Sequence, residues 1–186
     1  ERYTVNPRFF IYGKKTNMNV GGSYIRETRT GGSMDYIRHG TDGYYENNNT
    51  ERFTGQLDLQ HRLNERNVLN VKSSFSSFHR RIAIPLYEFE GRHLSSYSEI
   101  NFTSARNSSF WIIGLNVLTD QFRETRRSTW ALRDYQLTTY GVFAQHTWKA
   151  TRAFSLESGI RVDHTDPYGF QVLPRVSAMV QISPSF

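Results

Sequence analysis

From residue 154 onward, apolar and polar side chains change places at almost every step. Phe154, Leu156, Ile160 and Val162 alternate with Ser155, Glu157, Gly159, Arg161 and Asp163, and after a break Val176, Ala178, Val180 and Ile182 alternate with Arg175, Ser177 and Gln181. A period of two gives a β-strand one apolar and one polar face. Because the polar face carries full charges, it meets water or polar protein. The preceding run, 140–148, is less regular, since Phe143 and His146 fall out of phase.

The same alternation recurs upstream. Phe53, Leu57 and Leu59 share one face of a run near 53–60, and Leu69, Val71 and Phe75 share one face of 68–82. Ile100 and Phe102 mark 94–104, and Trp111, Ile113, Leu115 and Val117 mark 110–124. Two shorter runs, 8–13 and 18–30, come first. Tight turns begin near 14, 64, 105 and 150, at intervals of about 40 to 50 residues. Between successive turns lie one strand out, a longer connection (31–50, 85–93 or 125–134) and one strand back. Short connections therefore fall at one end of a sheet and long ones at the other, as in outer-membrane barrels.

The expectation is about nine antiparallel strands in an all-β, up-and-down meander that forms part of a large transmembrane β-barrel. Propeller blades share the repeat length but need four strands per repeat. A β-sandwich shares the alternation, but several runs exceed its usual five or six residues and approach the 9–11 of a tilted membrane strand. Tyr140 and Trp148 share a face, which places them roughly 20 Å apart along a membrane normal, near the girdle spacing of about 25 Å.

Composition narrows the class further. Aromatic residues are 15% of the 186, which favours strands. Mean hydropathy is −0.62 and the longest apolar run is 110–113. A membrane helix needs about 20 apolar residues, so helical spans are excluded while a membrane barrel is not. There is no cysteine, hence no thiol nucleophile, disulfide or zinc-thiolate site. Net charge is +6, and with lysine only at 14, 15, 72 and 149, arginines make up 19 of the 23 basic residues. Arginine forks suit ion pairs inside a barrel, lipopolysaccharide phosphates or an anionic ligand. They are scattered along the chain, not clustered, so nucleic acid is not an expected partner.

The runs YGVFAQHTWK, FSLESGIRVDHTD and LPRVSAMVQISPS resemble the barrel of TonB-dependent outer-membrane receptors, densely over about the last fifty residues and only in architecture before them. The resemblance implies a bacterial outer-membrane location and energised uptake of a scarce nutrient such as an iron chelate. It implies a plug domain, further barrel strands and an inner-membrane energy-coupling complex as partners, beside outer-membrane lipid and lipopolysaccharide. Residues 1–186 then form a single barrel segment, and plug and signal peptide have no counterpart in it. A secreted or surface β-sandwich used for binding or adhesion is the alternative.

No catalytic fingerprint occurs, and the reading is of a non-enzyme without cofactor or metal site. The carboxylates Glu88 and Glu90, and Asp163 and Asp166 around His164, read as solvated charges. Extracellular-loop candidates for holding a ligand are His39, Tyr44, Tyr45, His79, Arg80, Arg81, Tyr87, His93, Arg126 and Arg127, with Arg133 beside them. Imidazole, phenol and guanidinium together suit an anionic metal chelate through charge-assisted hydrogen bonds and stacking. Trp111, Tyr140 and Trp148 are the candidate membrane-interface aromatics. Siderophore, haem, cobalamin and sugar remain open as cargo.

Overall fold

The computed structural model of the chain describes residues 1–40, 43–125 and 133–182. Its strands are β1 (Arg2–Val5), β2 (Arg8–Tyr12), β3 (Thr16–Gly32), β4 (Tyr45–Arg62), β5 (Asn67–Ile84), β6 (Tyr87–Arg106), β7 (Ser109–Glu124), β8 (Tyr135–Lys149), β9 (Phe154–Asp166) and β10 (Gly169–Val180). All ten lie in one antiparallel sheet, ordered β1-β3-β4-β5-β6-β7-β8-β9-β10, with β2 also paired to β3. A single-turn helix, α1 (Met34–His39), sits between β3 and β4, with the Ser33 hydroxyl accepting from the Tyr36 amide at its start.

The first two segments share one register, Val5 opposing Tyr24 and Arg8 opposing Gly21. Pro7 has no N–H to give the ladder, which splits what would be one strand. Its carbonyl still accepts from the Gly22 amide at 3.0 Å. The sequence reading of nine strands thus becomes ten segments occupying nine sheet positions.

The expected long connections are where sequence and structure part. The segment read as loop over 31–50 holds the end of β3, α1 and the start of β4, and the ladder of β5 and β6 runs through 85–93 with only a two-residue turn at 85–86. Likewise β9 and β10 close around 167–168. Connections of two to four residues join strands at one rim, here the short rim. At the opposite, wide rim the connections are 33–44, 85–86, 125–134 and 167–168, so long and tight turns are mixed there. The physical reason is that apolar alternation stops well before the ladder does. Polar cross-strand pairs such as Arg81 with Glu90 and Thr50 with Arg80 carry the pairing onward.

Register organises the two faces. Ile11, Met18, Leu59, Val71, Ile100, Leu115, Val142, Val162 and Val172 stand directly opposite one another in sequence, one from each sheet position. One residue along, the row reads Asn19, Asp58, Lys72, Glu99, Asn116, Gly141, Asp163 and Gln171. No hydrophobic residue is buried among those described, and Leu115 and Val142 keep 54% and 53% of their surface exposed. One apolar face is therefore left without a protein layer over it.

The apolar band also slants across the ladder. At its short-rim boundary it ends at Met18 on β3, whose row meets β8 at Val142, yet on β8 it continues six residues further to Trp148. At the other boundary it ends at Tyr24 on β3, whose row meets β8 at Gln136, four residues past Tyr140. At ~3.3 Å per residue and ~4.8 Å per strand, over five steps, the band is inclined by about 30–40°. Barrel strands tilt from the membrane normal by that much.

Candidate functional site

The polar face is concave and lines a cavity between Asn70 and Lys72 on one side and Arg175 on the other. Near its middle, Arg161 Nε donates to both Asp163 oxygens at 2.9 and 2.8 Å, and its terminal nitrogen donates to Asn116 Oδ1 at 3.2 Å. Asn116 and Asp163 are 3% and 8% exposed, the only buried polar side chains among the described residues. Gly141 lies between them in register and leaves the room they occupy. Beside this triad Asn70 donates to Asn101, Asn101 donates to Glu99, and the Tyr97 hydroxyl donates to Glu99.

Toward the wide rim the same face changes character. Phe89 stacks with Phe122 at 6.3 Å between ring centroids, and Phe122 stacks with Tyr135 at 5.9 Å. A Cβ on Gly91 would stand 2.8 Å from the Phe89 and Phe122 rings, so glycine is what lets those rings close together. The Arg133 guanidinium lies 5.0 Å from the Phe89 centroid, and Arg52 lies 4.7 Å from that of Phe78. His93 Nε2 sits 2.6 Å from Asp120 Oδ1, and Arg80 donates to Asn48 at 3.2 Å. Arg133 forms an ion pair with Glu124 at 3.0 Å and reaches the Tyr87 hydroxyl at 3.5 Å. Glu124 stands seven residues beyond Val117, outside the apolar band. Its hydrogen bonds from Arg133 hold its carboxyl below the ordinary value of 4.5, and the Arg133 guanidinium is raised in return. Chemically this wall offers stacked rings, two guanidiniums over aromatic faces and an imidazole paired to a carboxylate.

The sequence candidates divide accordingly. Arg80, Tyr87, His93 and Arg133 converge on this wall, but Arg80, Tyr87 and His93 sit in β5 and β6, not in loops. His79 and Arg81 also belong to β5 and point to the opposite face, where they pair with Glu90 at 3.0 Å and Glu88 at 2.5 Å. His39 ends α1, Tyr44 is an exposed loop residue, and Tyr45 opens β4 with its ring on Tyr36 at 4.9 Å. Arg126 and Arg127 lie outside the described residues. Trp111, Tyr140 and Trp148 all stand on the apolar face, 43%, 53% and 47% exposed.

Sequence reasoning missed Arg52, Phe78, Phe89, Asp120, Phe122 and Tyr135. The available signal was aromatic residues at positions whose phase assigns them to the polar face. Phe143 is another, its ring lying over Gly114, where a Cβ would come within 2.4 Å. His146 is the opposite case, a polar ring on the apolar face stacked on Trp111 at 4.2 Å.

With that geometry established, the family comparison is decisive. The sequence model of the TonB-dependent receptor-like β-barrel family matches residues 2–186. The chain belongs to that family. A comparison with curated protein sequences returns no match. Among solved structures, the alcaligin outer-membrane receptor FauA from Bordetella pertussis superposes with a TM-score of 0.84 at 12% identity, over 98% of this chain and 33% of that one. A variant of the ferric enterobactin receptor PfeA from Pseudomonas aeruginosa gives 0.71 at 11%, over 98% and 31%. The copper transporter OprC gives 0.66 at 9%, over 95% and 32%. At such identities the likeness is one of fold, and the chain spans about a third of each receptor's length. The sheet is accordingly a segment of a TonB-dependent receptor barrel, and a sandwich is ruled out by its single layer among the described residues.

Proposed function

We propose that the chain is part of the wall of a bacterial outer-membrane receptor for energised uptake of a scarce nutrient, an anionic metal chelate. The observation that carries this reading is the two-faced sheet with its inclined apolar band, which suits a strand wall between lipid and an aqueous bore. Trp111, Tyr140 and Trp148 then stand on the lipid side, and the Arg161–Asp163–Asn116 triad faces a plug supplied with the remaining strands by the parent chain. The plug passes on the pull of the inner-membrane energy-coupling complex, so the wall performs no bond chemistry. The wide rim faces outward, and the wall of Phe89, Phe122, Tyr135, Arg52, Arg80 and His93 receives the chelate by stacking and charge-assisted hydrogen bonds. The siderophore-receptor and copper-transporter neighbours support a metal-bearing cargo.

The test uses the complete receptor with a set of labelled ferric chelates. Replacing Phe122 and Arg80 together (Phe122→Ala, Arg80→Gln) is expected to weaken binding of the transported chelate about tenfold or more, with unchanged resistance to heat unfolding. Unchanged affinity in that variant would remove the wall from the ligand path.

A further inference from the structure

We propose that the apolar face carries, at its wide-rim boundary, a seat for the phosphate of an outer-leaflet lipid headgroup, formed by Arg92 and Arg123. The inference rests on the reading that this face meets lipid. Arg92 on β6 and Arg123 on β7 are Cα partners in the ladder, on the face of Leu115 and Val142. Directly opposed side chains have Cβ atoms about 4.5–5.5 Å apart, and like charges so placed repel. Nothing described in the protein relieves them. Arg92 reaches only the Ser77 hydroxyl, at 3.4 Å. Arg123 meets only the Gln121 side-chain amide, whose oxygen, with the amide turned over, accepts from it at 2.9 and 3.0 Å. Among the described residues neither has a carboxylate at ion-pair distance, because the nearby acids are committed elsewhere. Glu51 accepts from Tyr24 at 2.5 Å, Glu90 meets His79, and Glu88 meets Arg81.

The surroundings fit a molecule that is greasy at one end and anionic at the other. Arg92 borders a groove on this outward face whose floor includes Tyr24 and Phe53, the last aromatic residues of the apolar band on their strands. Its polar side holds Ser77, His79 and Thr125, with the Glu51 carboxylate also on it and engaged by the Tyr24 hydroxyl. Acyl chains would lie along the band while the phosphate sits above it between two guanidinium forks, which match its oxygens in pairs. The transported chelate is a poorer occupant, since this groove opens away from the concave polar face.

The complete receptor is placed in phosphatidylcholine nanodiscs doped with either bis-phosphorylated lipid A or the same glycolipid stripped of phosphate, and co-purified lipid is counted by native mass spectrometry. Wild type is expected to retain the phosphorylated form preferentially. R92Q/R123Q should lower that retention about tenfold, and Arg62→Gln on the concave face should not alter it. R92K/R123K, which keeps charge but loses the fork, should fall between and guards against a folding defect. Equal retention of both lipids by wild type, or full retention by R92Q/R123Q, overturns the seat. A receptor that stays monodisperse with neither detergent nor lipid would instead overturn the membrane reading beneath it.

Discussion

At the scale of single residues, the polar face is governed by what fits between close neighbours. Gly141 is flanked in register by Asn116 and Asp163, and a Cβ there would stand 2.5 Å from an oxygen of each. Both groups are buried, and Asp163 is fixed by two hydrogen bonds from Arg161, so neither can swing aside cheaply. Gly141→Ala should therefore cost about 1–3 kcal/mol, read from urea unfolding of the complete receptor in detergent micelles. Gly159→Ala is the comparison, because its nearest neighbour would be an ordinary contact at 3.4 Å. Equal midpoints for the two variants would show that the triad yields freely. The same scale marks what could be read in advance. The phase of Val162 and Asp163 was legible because every neighbour agreed with it. Phe143 and His146 broke phase for reasons of space and stacking that lie on the next strand.

At the scale of elements, each strand has two parts held by different forces. The part near the short rim shows apolar alternation, and from it the strands over 68–82 and 110–124 could be recognised. The part toward the wide rim loses the alternation, with charged pairs on both faces and rings such as Phe89 and Phe122 on the inner one, and its ladder carries pairs such as His79 with Glu90 and His93 with Asp120. Periodicity of hydropathy carries no trace of such pairs, so β4 and β6 appeared shorter and the ligand candidates were assigned to loops. One pair makes a pH prediction. Glu124 has a folded value below its ordinary 4.5, so its pairing with Arg133 contributes fully above 4.5 and is lost as pH falls through the depressed value. The Glu124 amide donates to Asp134 at 2.7 Å, and its protection, the exchange rate set against that of an unstructured peptide at the same pH, should hold steady from neutral pH to the ordinary carboxylate range and fall only below it. In Glu124→Gln that acid-dependent step should vanish, and its persistence would take the step away from Glu124.

At the scale of the whole molecule, the slant of the apolar band is a quantitative statement about orientation. Hydrogen-bonded rows run perpendicular to strands, whereas a membrane cuts its band at constant height. The angle between band and rows thus equals the tilt of the strands from the membrane normal. The offsets of six and four residues between β3 and β8 give about 30–40° by strand geometry. A sheet whose apolar face packed on a second sheet would face no such demand, since core positions follow local packing instead of a common plane. Polarised infrared spectroscopy of the complete receptor in oriented bilayers reads this angle from the dichroism of the amide I band. A mean tilt of roughly 30–45° is expected if this segment inclines as its band requires. Strands lying near 0°, or flat in the membrane plane, would mean that the band is not cut by lipid, and the assignment of the two faces would fail with it. A spin label at Leu57 and another at Asp58, neighbours on opposite faces of β4 with Asp58 exposed, sharpen the reading. Dissolved oxygen should quench the first and a water-soluble nickel chelate the second, because only an apolar outer face and a wet inner one separate adjacent residues so completely.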